Sequence, residues 1–122
     1  MATPTLGVLL HCKDNVLICV SVLADLTRKA NYPSGYPAPQ VLLIAPPPIL
    51  EVGRFEEIFE GGAEKSLKFG AYYANIAETF GYYLIDAGKI IRSSPEDGIH
   101  FDASEHAKLG KAVAEKVREI LG

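Results

Sequence analysis

Apolar positions change their period along this chain, and the changes mark out its elements. Leu6 to Cys12 (LGVLLHC) is a short apolar run that fits a strand or a piece of buried helix, and periodicity alone does not decide. Asn15 to Ala30 (NVLICVSVLADLTRKA) opens rich in Val and Ile, as a strand does. It then places Val20, Leu23, Ala24 and Leu26 at helical spacing, followed by Arg28 and Lys29, cations that suit a helix C-terminus. A helix from about Val16 is predicted. Residues 31–40 (NYPSGYPAPQ) hold three prolines and a glycine and read as a loop. Val41 to Ala45 (VLLIA) is continuously apolar, the mark of a strand buried on both faces of a parallel sheet. Pro46 to Pro48 end it. In α/β sheets the residues just past a strand's C-terminal end line the ligand crevice.

Residues 54–60 (RFEEIFE) predict a short helix with Phe55, Ile58 and Phe59 on one side, stopped at Gly61 and Gly62. A longer helix is predicted from about Glu64 to Phe80. Phe69, Tyr72, Tyr73, Ile76 and Phe80 form its core stripe, Leu67, Ala71 and Ala74 widen it, and Gly81 closes it. Tyr82 to Asp86 (YYLID) is the second clear strand. The last helix opens after Asp102, where Asp102 and Glu105 have capping-box spacing. Leu109, Val113, Val117 and Ile120 make its buried stripe; Lys108, Lys111, Glu115, Arg118 and Glu119 read as a solvated face. Helix, strand, helix, strand, helix predicts an α/β fold with a parallel sheet flanked by helices, in a single domain of 122 residues. Two or three strands make a thin sheet against the usual five or six or so.

Composition narrows the function classes. A net charge of −3, with no concentration of Lys or Arg, offers no basic face for nucleic acid or an anionic membrane. The N-terminal apolar stretch has no basic lead, is split by Lys13-Asp14-Asn15, and falls short of the roughly 18 residues of a membrane span. Cys12 and Cys19 do not form a disulfide framework and read as packing residues, so the cytoplasm is the expected compartment.

The chemistry concentrates in SSPEDGIHFDASEH, residues 93–106. Asp97 precedes His100 by three positions, with Gly98 free to take an unusual φ between them. A carboxylate that accepts the Nδ1 proton of a histidine fixes its tautomer and makes it a general base. Pro95 stiffens the approach and the capped helix anchors the exit.

From Gln40 to Gly122 the chain resembles the C-terminal half of the SGNH (GDSL-type) esterase and acyl-hydrolase family, and its arylesterase-like branch most. VLLIAPPPI, EEIFEGGAEKSLKFGAYYANIAETFGYYLIDAGKII and DGIHFDASEHAKLGKAVAEKVREIL carry the resemblance in order and spacing. It implies a truncated three-layer, flavodoxin-like sheet, a small ester as substrate and no cofactor or metal. It makes Asp97 the acid and His100 the base of a Ser-His-Asp triad. The family's serine sits in a Gly-Asp-Ser motif near the N-terminus; this sequence has neither that motif nor a Gly-x-Asn-Asp block, and residues 1–20 match nothing in the family. Ser93 and Ser94 are near His100 in sequence; Ser21, Ser34, Ser66 and Ser104 lack the context of a nucleophile elbow. His106 is expected to be exposed or to pack at the helix start, and His11 to sit in apolar surroundings. A metal set of Asp97, His100, Asp102 and His106 matches no standard ligand spacing. A sheet this thin is expected to leave an apolar edge and face open, predicting a dimer. An inactive module that binds or assembles is the competing expectation.

Overall fold

The computed structural model describes residues 16–122, with side chains from residue 19 onward. Helix α1 spans Val16–Lys29, strand β1 Leu42–Ala45, helix α2 Gly62–Ser66, helix α3 Phe69–Phe80, strand β2 Tyr83–Asp86 and helix α4 Ala103–Leu121. Single 3-10 turns occupy Gly53–Phe55 and Ala87–Lys89. The expected strand or helix at Leu6 to Cys12 lies outside the described residues. Among the described residues no helix is long and apolar enough to cross a membrane.

β1 and β2 pair in parallel, Leu42 opposite Tyr83 through Ala45 opposite Asp86, with α3 as the crossover between them. Side chains alternate across the pleat, so Leu43, Ala45, Leu84 and Asp86 share one face. α1 and α3 cover that face, where Val20, Ala24, Phe69, Tyr73, Ile76 and Ala77 join Leu43 and Ala45 in the core. Leu42, Ile44, Tyr83 and Ile85 point the other way. There α4 lies across the sheet, its Val117 and Ile120 bordering a groove shared with Leu42. The result is a helix–sheet–helix sandwich, the α/β class that the hydrophobic pattern predicted.

Helix ends follow local chemistry. Gly81 takes a left-handed conformation at the C-terminus of α3 (φ 71°, ψ 38°), as expected. Arg28, in the last turn of α1, donates to the Phe80 carbonyl at 3.3 Å and supports that same terminus with a positive charge.

Several expectations are corrected. β1 is not buried on both faces: Ile44 is 38% exposed, because α4 covers only part of its side of the sheet. Residues 54–60 form a 3-10 turn and further turns rather than a helix, and Ile58 is exposed. Gly53, at φ 67°, opens the 3-10 turn and is packed against the Glu96 carbonyl, so this segment is held by the neighbouring loop. The predicted helix from Glu64 to Phe80 is broken at Leu67–Lys68. Ser66, fully buried, donates to the Ala63 carbonyl and accepts from the Ile49 amide at 2.9 Å, tying α2 to the loop after β1. Leu67, Ala71, Ala74 and Phe80 are exposed, so the stripe of α3 is narrower than its composition implies. The capping box does not form. Asp102 is the N-cap residue without a side-chain bond, and Glu105 turns inward to accept from the Arg92 amide. The stripe of α4 is only half-buried, and Val117 is exposed. Cys19 does pack against the core, but it is disulfide-bonded rather than a free thiol; the other cysteine, Cys12, lies outside the described residues. Sequence spacing says little about disulfides, because the geometry that permits one is a matter of Cα separation and direction.

Candidate active site

Both strands end at the same edge of the sheet, and the loops that leave this edge are stitched to one another. From the β2 side, Ser93 Oγ donates to the Pro48 carbonyl at 2.9 Å. From the β1 side, the Leu50 amide donates to the Gly98 carbonyl at 2.9 Å. Two glycines make the approach possible. A Cβ on Gly98 would lie 1.9 Å from the Leu50 carbonyl oxygen, and one on Gly53 would lie 2.5 Å from the Glu96 carbonyl oxygen. Residues 94–100 are also closed on themselves, with the Ser94 amide donating to the His100 carbonyl at 2.7 Å and the Gly98 amide to Ser94 at 2.8 Å.

This frame brings Asp97 and His100 together. Asp97 Oδ1 accepts the amides of Ile99 at 3.0 Å and His100 at 2.9 Å, a local turn of the kind short acidic side chains favour. Oδ2 is left to meet His100 Nδ1 at 2.6 Å. The Ile99 amide, then the His100 amide, then the imidazole hold the Asp97 carboxyl down to about 2, so it is ionised through the neutral range. An ionised partner at Nδ1 places the ring proton there and leaves the Nε2 lone pair as the basic site. Asp97 is 17% exposed in its side chain and His100 67%, so the acid is shielded while the base faces outward. Nε2 has no hydrogen-bond partner among the described residues. The Phe55 ring stands 6.1 Å from the imidazole at 51°, and the Arg54 guanidinium lies 4.6 Å over Phe55.

Among the described residues, none of Ser34, Ser66, Ser93, Ser94 and Ser104 hydrogen-bonds to the His100 ring. Ser94 Oγ accepts from the Glu96 amide at 3.3 Å, and the Ser93 hydroxyl is spent on Pro48. Their nearness to His100 in sequence does not become a nucleophile–base contact. His106 stands apart, exposed, with its ring 5.4 Å from Phe101. Asp102 caps α4, and His11 lies outside the described residues. Sequence reading passed over Leu50, Gly53 and Phe55. The glycine in EVGRF, placed after the proline run, was the available sign of a close backbone approach.

The parallel strands thus deliver an aspartate–histidine pair to their carboxyl edge. Comparison with known proteins takes this further. No family model and no curated protein sequence matches the chain. Among solved structures, the aryl esterase of M. smegmatis aligns with a TM-score of 0.79 at 35% identity, covering 86% of this chain and 51% of that one. A carbohydrate acetylesterase family member from Sinorhizobium meliloti aligns at 0.83 and 29% identity, over 88% of this chain and 52% of that one. A further carbohydrate acetylesterase from Sinorhizobium meliloti reaches 0.80 and 33%, over 87% and 51%. The chain has the SGNH-type fold of these arylesterases and acetylesterases, and it spans about half their length.

Proposed function

We propose that this chain supplies the acid and base of an SGNH-type carboxylic ester hydrolase of the arylesterase kind, with Asp97 orienting His100 and His100 acting as general base. The observation that carries the reading is the 2.6 Å pairing of Asp97 Oδ2 with His100 Nδ1, which leaves Nε2 open to solvent. In such a site the base takes the proton of a serine hydroxyl as the oxygen attacks the ester carbonyl, then returns it to the departing alcohol. The serine and the oxyanion donors come from outside this sequence, in a second polypeptide or a longer chain. The substrate is a small ester.

The test is complementation. The chain is mixed with the half of the M. smegmatis aryl esterase that it does not match, and hydrolysis of a short-chain aryl acetate is followed. Turnover is expected with wild type and not with His100→Ala, and equal rates would remove His100 from the mechanism. A serine-directed phosphonate reports separately whether a hydroxyl is activated.

A second reading, an inactive module that persists by assembling, is favoured by the lack of a hydrogen bond to Nε2 from Ser93 or Ser94, the serines nearest in sequence. Turnover in no mixture would support it. In either reading we infer self-association through open apolar surface, which Ile44 of β1 contributes on one side of the sheet and Val22, Leu23 and Leu26 of α1 on the other. Sedimentation is expected to give a dimer, and a compact monomer at low concentration contradicts this. The Cys19 disulfide weighs against the cytoplasmic location expected from sequence, since disulfides persist in oxidising compartments.

A further inference from the structure

We propose that a cavity beside the carboxyl end of β2 binds a monocarboxylate with a short apolar body. The cavity, of about 660 Å³, opens between the loop after β1, residues 88–95 and the first turns of α4. Its volume falls in the range of small-molecule sites, roughly 300–1,000 Å³. Neither Asp97 nor His100 borders it.

One wall is apolar. Pro48, Leu50 and Ile90 line it, and Leu50 and Ile90 stay partly open to solvent, an uncovered surface that a hydrocarbon or aromatic body would bury. The rest is cationic, from Lys89, Arg92 and Lys108. The acids here are already committed. Glu105 accepts from the Arg92 amide at 3.0 Å with one oxygen and from Lys108 Nζ at 2.5 Å with the other, which neutralises Lys108. Asp86 accepts from the Gly88 amide at 3.1 Å and stands 3.9 Å from Lys89 Nζ, offsetting that cation. The Arg92 guanidinium is within ion-pair distance of no carboxylate among the described residues, although its charge helps hold the Glu105 carboxyl down, and its side chain is exposed. One surplus cation over an apolar wall suits a monoanion better than a dianion. A guanidinium fork matches the two oxygens of a carboxylate.

The position gives the site a meaning. Leu50 is both a wall of the cavity and the residue whose backbone clasps Gly98 in the loop of the acid–base pair. The acid released by ester hydrolysis is a carboxylate of this class, so the cavity would hold product beside the site that makes it. That meaning rests on the proposed activity, whereas the binding itself does not.

The full chain, labelled with ¹⁵N, is titrated with sodium butyrate, and in parallel with methyl butyrate and inorganic phosphate. Butyrate is expected to give saturable amide shifts within Gly88–Ser93 and Glu105–Lys108, with methyl butyrate giving none and phosphate binding more weakly. Arg92→Gln, an exposed change that leaves the fold intact, should weaken butyrate about tenfold, the scale of one charge-assisted hydrogen bond. Absence of saturation with butyrate overturns the proposal. So does equal binding of the neutral ester, phosphate binding as tightly as butyrate, or an unchanged affinity in Arg92→Gln. No ester is turned over in this experiment, so its failure is separate from failure of the hydrolase reading.

Discussion

Replacing Gly98 by alanine is expected to lower the Tm by about 10 °C or more, since a Cβ there would make the closest contact of any described glycine. Two costs add. Gly98 has φ 76°, a left-handed conformation that costs an L-residue roughly 1–2 kcal/mol. The added Cβ would also sit 1.9 Å from the Leu50 carbonyl oxygen, with the Leu50 carbonyl carbon 2.8 Å away. Backbone cannot swing aside as a flexible side chain does, so the two loops must part, at about 1–3 kcal/mol or more for overpacking. Separation of the loops also breaks the bond from the Leu50 amide to Gly98 and unseats Asp97. Gly110 provides the control. It lies within α4, and a Cβ there meets nothing within 4 Å. Gly110→Ala should raise stability by up to about 1 kcal/mol, as removal of a helical glycine does. Thermal melts that show the same change for both variants would contradict the close packing described for Gly98.

Asp97→Asn is expected to lower aryl ester hydrolysis by the complemented enzyme about 10⁴-fold while leaving the fold in place, the scale seen when a triad base is held in the wrong tautomer. An asparagine carbonyl can still accept the amides of Ile99 and His100, so the turn survives. What changes is the group that faces Nδ1. A carboxylate accepts the ring proton, whereas the asparagine amide group donates, which drives the proton to Nε2 and removes the basic lone pair. Steady-state rates of wild type and variant, with thermal melts as the control for folding, check this. A variant that retains full activity would mean that Asp97 serves the loop rather than the histidine.

How much of this could be read from the sequence depends on whether the signal was local. β1 and β2 were legible because unbroken apolar runs and proline or glycine punctuation lie within the segment itself. Gly81 was legible for the same reason. The start of α4 was placed from Asp102, which is its N-cap although the capping box does not form. The spacing of Asp97 and His100 across Gly98 allowed the two side chains to meet, through a turn made by adjacent amides, while their roles as acid and base came from the resemblance. Several misses are cases where a residue outside the segment overrides a local preference. Ser66 breaks a helical stretch because the Ile49 amide, from the loop after β1, claims its hydroxyl. Glu105 abandons its helix-capping position because the Arg92 amide lies within reach. Residues 54–60 follow an amphipathic pattern, yet they form turns, with Gly53 at their start pressed against the Glu96 carbonyl of the other loop. The stitching of the two loops through Leu50 and Gly98 leaves no local trace beyond a glycine whose reason lies some fifty residues away.

The account stands on a pre-formed acid–base pair, and the state of the His100 ring tests that most directly. Selective ¹⁵N labelling of histidine, read by NMR at neutral pH, distinguishes a proton on Nδ1 from one on Nε2. The expected result is a proton held on Nδ1 of His100, in a strong hydrogen bond to Asp97 that shifts the signal far downfield and that disappears in Asp97→Asn. A ring proton on Nε2 with none on Nδ1, or one that averages rapidly between the two nitrogens in wild type, would contradict the pairing.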